Sequence, residues 1–186
     1  EFDNADGQLE AGGDGTPDFR RESFVFLADQ ANMPYGNYPS VKRERFLEQL
    51  IVNDARFLMG NRFYRSSDAA QPQTSKPPVK AIVIACNTAT AYGQDDIQRF
   101  IARAGLNIKV IGVIDAGARG ALATLKDERP AAIGVIPTRG TVLSQAYPRA
   151  IQANAKRLGL RNSIQIVQQG AVGLAGAIDG DSSFIA

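Results

Sequence analysis

Histidine is absent from the 186-residue chain, and cysteine occurs once, at Cys86. Without imidazole, His-based triads, His-ligated zinc and imidazole general bases are excluded. A single cysteine excludes an internal disulfide and a multi-cysteine metal site, and no metal is expected. Any acid–base work falls to Cys86, carboxylates, lysine or tyrosine. No apolar run approaches membrane-spanning length, and the first residues carry no signal-peptide pattern. A cytoplasmic protein without a membrane partner is therefore expected. Lys and Arg number 21 against 19 Asp and Glu, a net charge of +2, and nowhere do they concentrate as in a nucleic-acid arm. No nucleic-acid partner is expected. What remains is an ordinary globular composition, 44% hydrophobic and 22% charged, with room for one α/β domain or two small lobes.

The stretch around which the chain is organised is Val79–Gly93, VKAIVIACNTATAYG. Its apolar run, Ala81–Ala85, is β-branched and ends in polar turn formers, which predicts a parallel strand buried on both faces. Ligands in open parallel sheets collect where strands end and helices begin, and Cys86 falls at such a point. Along the rest of the chain, residues 1–22 are Gly- and Asp-rich and read as a tail or loop. Ser23–Ala28 predicts a first strand. A turn-rich stretch, Asn32–Ser40, follows, and Ser40 is suited to cap a helix over Val41–Leu58 with Phe46, Leu47, Leu50, Ile51 and Leu58 on one stripe. Residues Arg65–Pro78 predict a surface loop. After the Cys86 strand come a helix over Gln94–Ala104, ended by Gly105, a strand over Ile108–Ile114, a helix over Gly117–Leu125 and a strand over Ala131–Ile136. A helix over Val142–Leu158 follows, which Pro148 should kink or split. The strand Ile164–Val167 and a Gly-rich stretch come last. The alternation predicts parallel βαβ units.

Cys86 carries two readings. Free cysteine is among the most buried residue types, so a structural thiol is one. The other is a reactive thiol, because the positive end of a helix dipole favours the thiolate; Asn87, Thr88 and Thr90 supply short polar groups beside it. Two further turns follow strands, Pro34-Tyr35-Gly36 and Thr138 to Thr141. Their backbone N–H groups are suited to carboxylates, although Gly, Pro and Thr are also what turns are made of. Their common place at one sheet edge favours a site. The Gly-rich Gly170–Asp181 spells neither a dinucleotide fingerprint nor a P-loop.

The segments LADQANMPYGNYPS, VIACNTATAYG, IGVIDAG, IGVIPTRGTVLSQAY and QQGAVGLAGAID occur in the order, and at about the spacing, of the aspartate/glutamate racemase family. The chain resembles that family from Phe24 to about Asp181 and is most similar to its glutamate racemases. The resemblance implies parallel doubly wound α/β sheets in two pseudo-symmetric lobes, incomplete in this chain: a first lobe over 23–105 and a second over 106–186. It implies cofactor-independent racemisation of an amino acid, glutamate above all, for peptidoglycan precursor supply. The substrate would lie between the lobes, with a thiol on each face of its Cα. Cys86 matches the first thiol. Pro34, Tyr35, Gly36, Asn87, Thr88, Thr138 and Thr141 match substrate-holding positions. Asp179 falls where the family carries a glutamate near the active site, and is taken as a second catalytic residue. A small amino acid is the implied partner, and a homodimer the assembly to test.

Two departures from the family pattern matter. The family's opening strand ends in an Asp-Ser-Gly loop, where this chain has its Gly/Asp-rich tail. The family's second cysteine lies in a Cys-Thr-His motif that this chain does not contain. The expectation is a part of a longer racemase. The competing readings are a one-cysteine decarboxylase or isomerase on the same fold, and an inactive carboxylate-binding module.

Overall fold

Among the described residues, four short strands form two separate parallel pairs rather than one sheet. The computed structural model describes residues 21–125, 129–178, 180 and 182–184. Strand β1 (Ala81–Ile84) pairs with β2 (Lys109–Gly112), Ala81 opposite Lys109 and Ile84 opposite Gly112. Strand β3 (Ala131–Val135) pairs with β4 (Ile164–Gln168), Ala131 opposite Ile164 and Val135 opposite Gln168. Parallel strands need a crossover of a dozen or more residues. Helix α2 (Asn87–Arg103) serves the first pair. Helices α4 (Arg139–Ser144) and α5 (Ala146–Arg157) serve the second. Helix α1 (Glu44–Met59) precedes β1, α3 (Val113–Ala123) links the two pairs, and a short α6 (Leu174–Ile178) forms within the Gly-rich stretch. Residues 109–112, placed in the second lobe by a division at residue 105, hydrogen-bond with the first.

Each pair has its own core. In the first, Leu47, Ile51 and Ala55 of α1 meet Ile82 and Ile84 of β1 and Ala89, Ile97 and Ile101 of α2. The buried stripe of α1 thus runs at i, i+4, i+8, the one face that a helix turns to its neighbour. In the second, Ala118 and Leu122 of α3 meet Ile151 of α5 under Ile133, Val135, Ile164 and Ile166. Burying each such aliphatic side chain contributes roughly 1.5–3 kcal/mol. Gly93 lets α1 and α2 approach: a Cβ there would stand 2.3 Å from Ile51 Cγ2.

Several elements differ from the sequence expectation. Ser23–Ala28 does not form a strand. Phe26 within it is 90% exposed. Strand β1 is buried on one face and not on both. Its burial alternates, and Val83 is 64% exposed while Ile82 and Ile84 are covered. Helix α1 begins after Arg43, not after Ser40, which lies in a 3-10 turn over Pro39–Val41. Phe46, placed on the inner stripe by sequence, is exposed. Helix α2 begins seven residues before Gln94, directly after Cys86. Helix α3 takes over at Val113, so Asp115 lies in its first turn rather than at a strand end. The split expected near Pro148 falls at Gln145, whose φ of 55° is left-handed. Pro148 then sits in the first turn of α5, where the amide it lacks would have no intrahelical partner.

Candidate active site

Cys86 occupies the N-cap of α2, in extended conformation and exposed to solvent. Its Sγ accepts the Ala89 N–H at 3.5 Å. The turn is held from below by Thr90, whose hydroxyl lies 2.9 Å from the Cys86 carbonyl and 3.2 Å from that of Ile84. The reading of Cys86 as a buried structural thiol is overturned by its exposure. The positive end of a 17-residue helix and an N–H donor both face the sulfur.

Asn87 and Thr88 belong to the first turn of α2, and Thr88 reaches the N-terminal turn of α4. Its Oγ1 lies 3.2 Å from Thr138 Oγ1 and 3.3 Å from Thr141 Oγ1, and the last two are 3.1 Å apart. The three hydroxyls close a ring. Thr138 also caps α4, accepting the Thr141 N–H at 3.4 Å. Thr88 is 2% exposed and Thr141 0%. Thr138, half-buried, is the member of the ring with surface to offer a ligand.

The third turn joins them. Pro34 precedes a 3-10 turn over Tyr35–Asn37. Gly36 lies against Thr138, a Cβ on it standing 3.3 Å from Thr138 Cβ, and a Cβ on Gly140 would stand 2.8 Å from the Gly36 carbonyl oxygen. Glycine at both positions allows this approach. The Tyr35 side chain turns elsewhere: its hydroxyl lies 2.6 Å from Asp29 Oδ2 and 2.8 Å from Asp54 Oδ2. What residues 35 and 36 bring to the junction is therefore backbone. One phenol proton serves one carboxylate, so the other carboxyl must carry its own proton to bond the same oxygen. Burial raises the Asp54 pKa, the Tyr35 bond lowers it and the Asp29 charge raises it further, for a net rise. Burial, and then the two carboxylate partners, push the Tyr35 phenol up.

Two tyrosines not singled out in the sequence also cross the junction. The Tyr92 hydroxyl donates to the Gly140 carbonyl at 3.1 Å. The Tyr147 hydroxyl donates to Asn87 Oδ1 at 2.7 Å. Both stand within quoted motif segments, and the available signal was a polar-tipped aromatic shortly after each strand-end turn. Beside the second bond lies a cavity of about 270 Å³, lined by Asn87, Tyr147, Ala118, Ile133, Pro137 and Ile151 among others. Asp179 lies outside the described residues. Among the described residues no three His, Cys, Asp or Glu side chains gather to hold a metal, and no helix is long and apolar enough to cross a membrane.

The fold and its junction define a class: a parallel α/β protein whose strand-end turns meet between two sheet units, with an exposed thiol at the N-terminus of a helix beside them. The chain is similar in sequence to glutamate racemases of several bacteria. It is 38% identical over 132 residues to a glutamate racemase of Latilactobacillus sakei, covering 71% of this chain and 38% of that one. It is 40% identical over 134 residues to one of Levilactobacillus brevis. It is 34% identical over 161 residues to one of Limosilactobacillus fermentum, covering 84% of this chain and 50% of the relative. The chain thus spans half or less of the length of these curated relatives. No family model matches it. In fold it is similar to a glutamate racemase isoform of Bacillus anthracis, with a TM-score of 0.62 at 24% identity over 90% of this chain and 52% of that one. The glutamate racemase of Aquifex pyrophilus aligns with a TM-score of 0.50 at 23% identity.

Proposed function

We propose that this chain is part of a cofactor-independent amino-acid racemase that interconverts L- and D-glutamate. The observation that carries the reading is the exposed Cys86 thiol at the head of α2, one residue from the Asn87–Thr88 pair that meets Thr138. The names of the relatives supply the substrate. In the reaction, the Cys86 thiolate takes the α-proton and leaves the electron pair on Cα. Donors fixed around the carboxylate stabilise that developing carbanion. A second acid then delivers a proton to the opposite face, because return from the same side restores the starting enantiomer. Each turnover leaves Cys86 protonated and the second group deprotonated, ready for the reverse direction.

Asn87, Thr138 and the backbone of Tyr35–Gly36 hold the substrate in this reading. Thr88 and Thr141, being buried, aim the Thr138 hydroxyl. Asp179 is retained as a residue close to the reacting centre. The sequence has one cysteine and no histidine, so the second thiol comes from residues outside it. Supply of D-glutamate to peptidoglycan in the cytoplasm, and a homodimeric assembly, complete the proposal. The test is calorimetric titration with L- and D-glutamate. Binding of both, competitive with each other, is expected. Binding of neither contradicts the reading. An intact mass above 19.9 kDa for the protein purified from its source is expected as well.

A further inference from the structure

Asn87 has two chemically opposite ends, a carbonyl that only accepts and an amide that only donates. Which end faces a ligand decides whether the residue attracts or repels a carboxylate. The Asn87 Oδ1 lies 2.7 Å from the Tyr147 hydroxyl, on a residue 60 positions away in the other sheet unit. The phenol has one proton, and it is given to that carbonyl. Burial raises the Tyr147 pKa, so the donor stays protonated well past neutral pH. With the oxygen engaged, the two amide N–H groups are the end left for a ligand.

Tyr147 is itself built into place. The helical path breaks at Gln145, and the junction is tied by Ser144, whose hydroxyl donates to the Thr141 carbonyl at 2.6 Å and accepts the Ala146 N–H at 3.2 Å. Tyr147 follows in the first turn of α5. Its ring lies over Gly117 of α3, where a Cβ would come within 3.5 Å of the hydroxyl oxygen. The bond to Asn87 thus links the α4–α5 junction to the first turn of α2.

We propose that Tyr147 is a positioning residue, whose hydroxyl locks the Asn87 side chain with its amide N–H pair turned toward a substrate carboxylate. The inference rests on the racemase reading for the identity of that carboxylate, but not for the lock. The lock also makes the orientation of Asn87 depend on how the two sheet units sit, since the donor and acceptor belong to different ones.

The test compares the 186-residue chain with its Tyr147→Phe variant by two readouts. The first is the ¹H–¹⁵N signals of the Asn87 side-chain amide in the free protein. They are expected to shift and exchange faster in the variant. The second is affinity for L-glutamate, expected to fall about three- to tenfold, the range of one neutral hydrogen bond. The thermal midpoint should stay nearly unchanged, because the phenyl ring still fills the same space; Tyr147→Leu serves as a second variant if Tyr147→Phe folds poorly. A lowered midpoint with unchanged affinity in the folded protein would show a merely structural role and overturn the proposal. Glutamate binding by both proteins with equal affinity overturns it too, and leaves the racemase reading standing. If the wild-type chain binds no glutamate, the racemase reading fails, and the Asn87 signals decide the lock alone: unchanged signals in the variant overturn it.

Discussion

The hydroxyls of Thr88 and Thr138 lie 3.2 Å apart, although one heads a helix of the first sheet unit and the other caps a helix of the second. Thr141 closes the ring between them. Valine at position 88 keeps the shape of the side chain and removes one member of the ring. The two remaining hydroxyls then lose a partner in a buried place, which costs about 1–3 kcal/mol. Urea unfolding of Thr88→Val is expected to show that loss. A loss below about 0.5 kcal/mol would mean that the ring adds little to the junction.

Gly93 tests the first core. A Cβ there overlaps Ile51, so Gly93→Ala should cost about 1–3 kcal/mol despite alanine's better helix propensity. Ile51→Ala removes the Cγ2 and Cδ1 atoms at 2.3 and 3.1 Å and leaves the Cβ at 2.8 Å, relieving part of the overlap. The double variant should therefore be more stable than the sum of the two single losses predicts. Strict additivity would contradict the close approach of α1 and α2.

Much of this was legible in the sequence, and the parts that were not have physical reasons. Period and composition placed β1, β3 and β4, and the strand-end positions of Cys86 and Thr138 followed. The early start of α2 was hidden because Asn, Thr and Gly are weak helix formers. Tertiary contacts decide there: Thr88, Ala89 and Thr90 are all buried, and Thr90 ties itself to the Ile84 and Cys86 carbonyls. The strand expected at Ser23–Ala28 has the right residue types but does not form, and propensity alone does not make a strand. The Tyr147–Asn87 bond spans sixty positions, and no local pattern marks such a pairing.

The Asp29–Tyr35–Asp54 cluster predicts a pH effect. The folded-state pKa of Asp54 is raised, chiefly by burial. The folded state therefore binds its proton more tightly than the unfolded chain does. This contribution to stability is fully present below the ordinary carboxylate range and is lost as pH rises through the raised value. As pH rises above about 4, Asp54→Asn should flatten the fall in stability relative to the wild type. An unchanged slope would remove Asp54 from the proton-sharing cluster.

Cys86 is exposed at the junction, so it should react with a disulfide reagent in the native state. One equivalent per chain is expected without denaturant, and glutamate should slow the reaction. A thiol that reacts only after unfolding, or at the same rate with saturating glutamate, would separate Cys86 from the proposed substrate site.

The most direct measurement follows optical rotation together with deuterium incorporation at Cα for L- and D-glutamate in D₂O. It compares the 186-residue chain, a longer form that supplies the second thiol, and the Cys86→Ala variant of that longer form. The longer form should racemise both enantiomers with deuterium entering at Cα. The chain alone should exchange the α-proton slowly or not at all, without inversion. Cys86→Ala should abolish turnover while binding persists through the Asn, Thr and backbone contacts. Racemisation by the chain alone would show that a second acid already stands within it, and unchanged turnover in Cys86→Ala would contradict the role of Cys86 as the base.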